Sequence, residues 1–300
     1  MNGAPPGADR TGTGADEGRE GRGRRLERIA VGLLSVATGV VLVYLAVKGP
    51  LWLGHIRYKT APVIDNQVVG QDLVNLFLLA PISIAGGMAL LLGKGFAKYL
   101  LVLTPLYLVY YALSYTIGWE WSSPRYGGNS QRYTFHFLLV LVSALLTLLY
   151  CLSALPRARR ARFGKWGLAV YSAVLGALLL VFAGMWIGEV REVMATGTTR
   201  GYDLAPTAFW LVRVFDLGFS IPLGLLSIYL LWARPEGSFA IQLVFYGFFG
   251  TMIVAVNAMG LFMLARGDPT FLWRDLAVFL ALGATIFAGF GYVIRGYRAG

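Results

Sequence analysis

The sequence predicts an all-α, polytopic integral membrane protein, and three observations carry that prediction. Hydrophobic residues make up 57% of the 300-residue chain and charged residues only 14%. Mean hydropathy is +0.64. Apolar runs of about 20 residues, the length that crosses roughly 30 Å of hydrocarbon, recur along most of the chain. This composition excludes a soluble enzyme and a disulfide-built secreted module. The runs are rich in Leu, Ala and Gly and too long for strands, and in lipid only helices or closed barrels satisfy their own backbone.

Residues 1–25 are mostly Gly, Pro, Thr, Asp, Glu and Arg with little to bury, and read as a disordered, basic cytoplasmic tail. The apolar run that follows is longer than a signal-peptide core, so a retained span is expected at 28–48. Breaker residues between the later runs place spans at 71–93, 97–118, 134–155, 166–188, 208–233, 239–265 and 271–294. The expected organisation is a first four-helix half at 26–155, a basic cytoplasmic linker at 156–165, and a second four-helix half at 166–300. Cys151 stands alone in an apolar run, so neither a CxxC pair nor an intramolecular disulfide can form.

Eight spans put both termini on one side. The tails and loops of that side hold 16 of the 26 Lys and Arg residues although the opposite loops are longer, which predicts a plasma (inner) membrane protein with N- and C-termini in the cytoplasm. The net charge of +11 is therefore an orientation and lipid signal, and nucleic acid is not an expected partner. Arg157, Arg159, Arg160 and Arg162 form the expected surface for lipid headgroups or a protein partner. Six of the eight tryptophans (Trp52, Trp119, Trp121, Trp186, Trp210, Trp273) fall at the proposed external interface, as a belt would.

Shifting the chain on itself by 143 or 144 residues sets Asp72-Leu73 over Asp216-Leu217 and Phe96-Ala97 over Phe239-Ala240. Each copy has a long loop, a helix with an early aspartate and a mid-helix proline (Pro81, Pro222), and a short turn. A parallel 4+4 repeat is predicted, which puts a site between the halves and makes Pro81 and Pro222 hinge candidates.

Ionisable residues within spans are costly and default to function. Asp72, Asn75, Arg213, Asp216, Asn257 and Glu120 all fall in the external half of the membrane and form the candidate ligand or proton site. Arg213 is one turn from Asp216 and is expected to pair with it. Asp72 also reads as an acid in a first helical turn, and Asn257 as either ligand or interhelical glue. His55 and His136, the two histidines, do not suit a haem, no metal-binding or nucleotide-binding motif appears, and no cofactor or metal is expected.

The stretches Gly70-Gln71-Asp72-Leu73-Val74-Asn75-Leu76, Asp216-Leu217-Gly218 to Pro222-Leu223, and Asn257-Ala258-Met259-Gly260 resemble recurring patterns in an uncharacterised family of bacterial multi-spanning membrane proteins. The resemblance covers helices two to seven and implies no activity. The expected function is a carrier for a small solute or ion, with an externally facing polar site between the halves and proton coupling through Asp216. The alternatives are a non-catalytic assembly, sensor or lipid-organising protein, and a membrane-embedded enzyme acting on a lipid or envelope precursor, for which no nucleophile and base pair is recognisable.

Overall fold

A computed structural model describes residues 13–118 and 126–298. Among the described residues there is no strand, and eight helices are long and apolar enough to cross a membrane. They are α1 (Thr13–Lys48), α2 (Pro62–Leu91), α3 (Ala97–Gly118), α4 (Ser130–Ala154), α5 (Lys165–Thr196), α6 (Pro206–Ala233), α7 (Phe239–Ala265) and α8 (Trp273–Arg298). Three ends differ from the hydropathy reading. Helix α1 begins at Thr13, inside the stretch expected to be a disordered tail, because propagation from an established helix costs little where no proline intervenes. Pro62 at the first helical position starts α2 ahead of its apolar run. Beyond its apolar run, α5 continues through Glu189, Arg191 and Glu192 to Thr196.

In the first four helices, α1 packs along α2 and α4, and α3 packs on α4. In the second four, α5 pairs with α6 and α7 with α8. The two groups meet where α7 lies against α2 and α3. Helix α7 is accordingly 61% buried over its apolar window, against 17% for α8. Glycine permits both approaches: a Cβ on Gly70 would stand 2.5 Å from the Met259 Cα of α7, and one on Gly247 would stand 2.5 Å from the Leu103 Cα of α3.

The basic loops share one end of the molecule. Lys98 Nζ donates to the Ala154 carbonyl at 2.8 Å, the Arg159 N–H to the Glu236 carbonyl at 2.8 Å, and the Arg162 N–H to the Gly296 carbonyl at 3.0 Å. At the other end, Asn66 Nδ2 donates to Asp268 at 2.6 Å and so ties the start of α2 to the α7–α8 loop.

Two helices carry the same irregularity. A wide π turn spans Asn75–Leu79 in α2 and Asp216–Ser220 in α6, and each ends two residues before its proline, Pro81 or Pro222. Proline supplies no N–H. Around it the ladder slips to i→i−5 bonds, from the Ala80 N–H to the Asn75 carbonyl and from the Ile221 N–H to the Asp216 carbonyl. Aligned on these turns, α2 and α6 set Asn75 opposite Asp216, and Asp72 lies three residues earlier; the 143- or 144-residue shift does not describe this segment. A third π turn, Ser114–Gly118, ends α3.

Candidate functional site

Asp72 is 1% exposed and lies inside the first four helices. Its carboxylate abuts the turn after α1, where a Cβ on Gly49 would come within 2.6 Å of Oδ2. The Leu51 backbone offers a donor beside it, but neither carboxylate oxygen makes a hydrogen bond of ordinary geometry among the described residues. Four tyrosines surround it: Tyr58 from the α1–α2 loop, and Tyr107, Tyr111 and Tyr115, which recur every four residues and so share one face of α3. Gln71 Nε2 donates to the Tyr107 hydroxyl and, at 3.4 Å, to Asn75 Oδ1.

Tyr58 meets Tyr115 edge-on at 5.1 Å, and Tyr111 lies 4.5 Å from Tyr115. Burial, followed by the neighbouring Tyr111, Asp72 and Tyr133, holds the Tyr58 phenol well above its ordinary value, so it faces the site as a neutral donor. Its hydroxyl, the Tyr111 hydroxyl and Asn75 Nδ2 are buried without a hydrogen bond of ordinary geometry among the described residues, although the Tyr111 hydroxyl lies beside the Asn75 side chain. Orphaned buried groups are rare and each asks for a reason; here several crowd around one carboxylate.

Deeper in the same bundle, six hydroxyl residues from all four helices line one void: Ser35, Thr38, Ser83, Thr104, Ser143 and Thr147. Each is 5% exposed or less. The void measures about 10 Å³, roughly one water. The Thr38 and Ser143 hydroxyls have no hydrogen-bond partner among the described residues.

Asp216 lies in the second group of helices with other neighbours. Trp186 of α5 donates its indole N–H to Asp216 Oδ2 at 2.9 Å. Arg213 does not take Asp216 as its hydrogen-bonded partner, contrary to the i, i+3 expectation. Its Nε donates to Glu189 of α5 at 3.0 Å and the pair forms a salt bridge, while the guanidinium stacks on Trp186 at 4.2 Å and Phe209 at 4.0 Å. The physical reason is direction: a helical side chain leans toward the N-terminus, which carries Arg213 away from Asp216 and toward the end of the bundle where Glu189 lies.

The remaining predicted residues fall elsewhere. Asn257 Nδ2 donates to the Ile253 carbonyl at 2.8 Å and across to the Phe279 carbonyl at 3.0 Å, clamping α7 to α8. Glu120, with Trp119 and Trp121, lies outside the described residues. Thus Asp72 and Asn75 come together, whereas Asp216 and Arg213 share Trp186 without sharing the Asp72 surroundings. Helix α3 stands between the two carboxylates, presenting Tyr107 and Tyr111 to Asp72 and Tyr110 to Asp216. Tyr110 packs edge-on against Phe215 at 5.6 Å. No hydrogen bond, ion pair or ring contact among the described residues joins one carboxylate group to the other.

Sequence reasoning missed Trp186, Glu189, Tyr107 and the hydroxyl cluster. The Tyr107, Tyr111, Tyr115 spacing was a readable signal of a shared face. The others come from different helices, and pairing across helices leaves no trace in a single sequence. No family model, no curated protein and no solved structure matches this chain.

Proposed function

We propose that this chain is a proton-coupled membrane carrier for a small solute or ion, with Asp72 as its coupling group and the first four helices as the path. One observation carries the reading: a carboxylate withdrawn from water without a cation or a well-aligned donor, ringed by phenol hydroxyls and one amide. A negative charge so placed is expensive, and a proton or a small cation relieves the cost. The hydroxyl-lined void deeper in α1–α4 supports it, because a water held among hydroxyls can pass on a proton where bulk solvent cannot enter. The wide turn beside Pro81 gives α2 a point at which to flex next to the carboxylate. A parallel 4+4 repeat would account for the matching turn and proline in α6, with Asp216 a second buried acid one turn further along than Asp72, and the reading takes both termini to be cytoplasmic.

The test is proton movement in liposomes with a trapped pH-sensitive dye, under an imposed potential, with amino acids, sugars and monovalent cations presented class by class. The native chain moves protons with at least one class, and Asp72→Asn abolishes the movement while reconstituting equally well. A native chain that moves protons with none of them, or Asp72→Asn at the native rate, overturns the reading.

A further inference from the structure

At the basic end, between α3, α7 and α8, a cleft of about 250 Å³ has two unlike parts. Arg159 and Arg298 stand on its rim, and its wall is made of Leu103, Leu243, Phe290 and Ile294 from the spans themselves. Arg159 is held by stacking on Phe239 at 4.5 Å and by its N–H to the Glu236 carbonyl. Neither guanidinium makes a salt bridge among the described residues. Glu236 is the only acid in the 155–165 and 234–238 loops, against six Lys and Arg residues, so these loops do not balance the charge of the rim. The floor is firm: the Tyr297 hydroxyl donates to the Pro235 carbonyl at 2.7 Å and lies 2.7 Å from the Ser238 hydroxyl.

We infer that this cleft is a specific site for one anionic phospholipid, its phosphate between Arg159 and Arg298 and an acyl chain along the α3–α7–α8 wall. Guanidinium forks match a phosphate's oxygens and remain charged at any physiological pH. The wall excludes a soluble phosphate as the best occupant, since it would leave Leu243, Phe290 and Ile294 facing an empty apolar slot within the membrane layer. The site is narrower than the diffuse headgroup attraction of a basic loop: of the four arginines at 157–162, only Arg159 lines the cleft, joined by Arg298 from the other end of the chain. It is independent of the carrier reading and survives its failure.

The experiment is native mass spectrometry of the full chain from micelles doped with phosphatidylglycerol or phosphatidylcholine. Thermal unfolding of the same samples serves as a second readout. Phosphatidylglycerol is retained and raises the unfolding temperature; phosphatidylcholine does neither. The double variant Arg159→Gln with Arg298→Gln lowers retention by about tenfold, the loss of roughly 1.4 kcal/mol. Arg157→Gln with Arg160→Gln, which removes the same charge from outside the cleft, keeps retention at the native level. Leu243→Trp fills the wall and loses the lipid with both arginines present. Equal loss in the two arginine pairs means a diffuse patch and overturns the site. Competition by glycerol phosphate as effective as that by phosphatidylglycerol assigns the site to a soluble phosphate and overturns the lipid; equal retention of phosphatidylcholine overturns the role of charge.

Discussion

Arg213 carries a permanent charge into a mostly apolar helix and is only 13% exposed in its side chain, whereas its partner Glu189 is 34% exposed. Removing Glu189 strands the less accessible of the two charges. Glu189→Gln is therefore expected to cost about 1–2 kcal/mol, toward the low side for a charged pair because solvent reaches the glutamate. Arg213→Gln in the same background should return part of it, and a double-mutant cycle on thermal unfolding in detergent measures the coupling. A second residue-scale prediction concerns Asp268. The Thr270 hydroxyl first, then Asn66 and the Thr270 backbone, hold its carboxyl below the ordinary value of 3.8. A group depressed on folding stabilises the fold above its ordinary value, and that stabilisation is lost as pH falls below it. The unfolding temperature should drop as the buffer is taken below pH 3.8, and Asp268→Asn should flatten that part of the profile. The buried acids Asp72 and Asp216 were legible as outliers in apolar runs. Their neighbours were not, because the angular position of a side chain beside a π turn depends on hydrogen bonds that composition does not encode.

At the scale of the helix, hydropathy located all eight spans but misplaced the ends of α1, α2 and α5. It reports where a helix meets lipid, and a helix continues past that point whenever backbone bonding and end groups allow, as Pro62 and the Glu189–Arg213 pair show. Mid-helix prolines were equally visible, but the wide turns that absorb them were not, since they arise from where the displaced carbonyls find donors. Helix packing supplies a sharper test. Gly70 and Gly247 sit where a single methyl group meets the backbone of another helix, so Gly70→Ala and Gly247→Ala must push α7 away from α2 or α3. Each should destabilise by about 1–3 kcal/mol, the range of overpacked sites. Gly184→Ala on α5 meets nothing within 4 Å. It should leave the unfolding temperature unchanged or raise it by up to about 1 kcal/mol in stability, as alanine does in a helix. If all three behave alike, the α2–α7–α3 contact is not the joint of the molecule.

The molecule as a whole has one asymmetry that its contacts alone do not orient: a basic end formed by the 92–96 turn, the 155–164 loop, the 234–238 turn and the end of α8, facing an end whose helix termini and loops carry nearly balanced acids and cations. Insertion keeps Lys and Arg in short loops on the cytoplasmic side. On that rule the proposed phospholipid cleft is expected in the inner leaflet and the Tyr58 and Asp72 side of the first bundle toward the exterior. The single native thiol suits a test, because Cys151 is 0% exposed and should not react with a charged, membrane-impermeant reagent in the folded chain. Trp52→Cys puts a thiol at a position 71% exposed on the α1–α2 loop, and Arg160→Cys puts one on the exposed α4–α5 loop. Intact cells should label Trp52→Cys alone, and inside-out vesicles Arg160→Cys alone. The reverse pattern would invert the chain, leave the buried carboxylate reached from the cytoplasm, and move the arginine cleft to the outer leaflet, where neither its charge nor its position would follow from the way the helices were inserted.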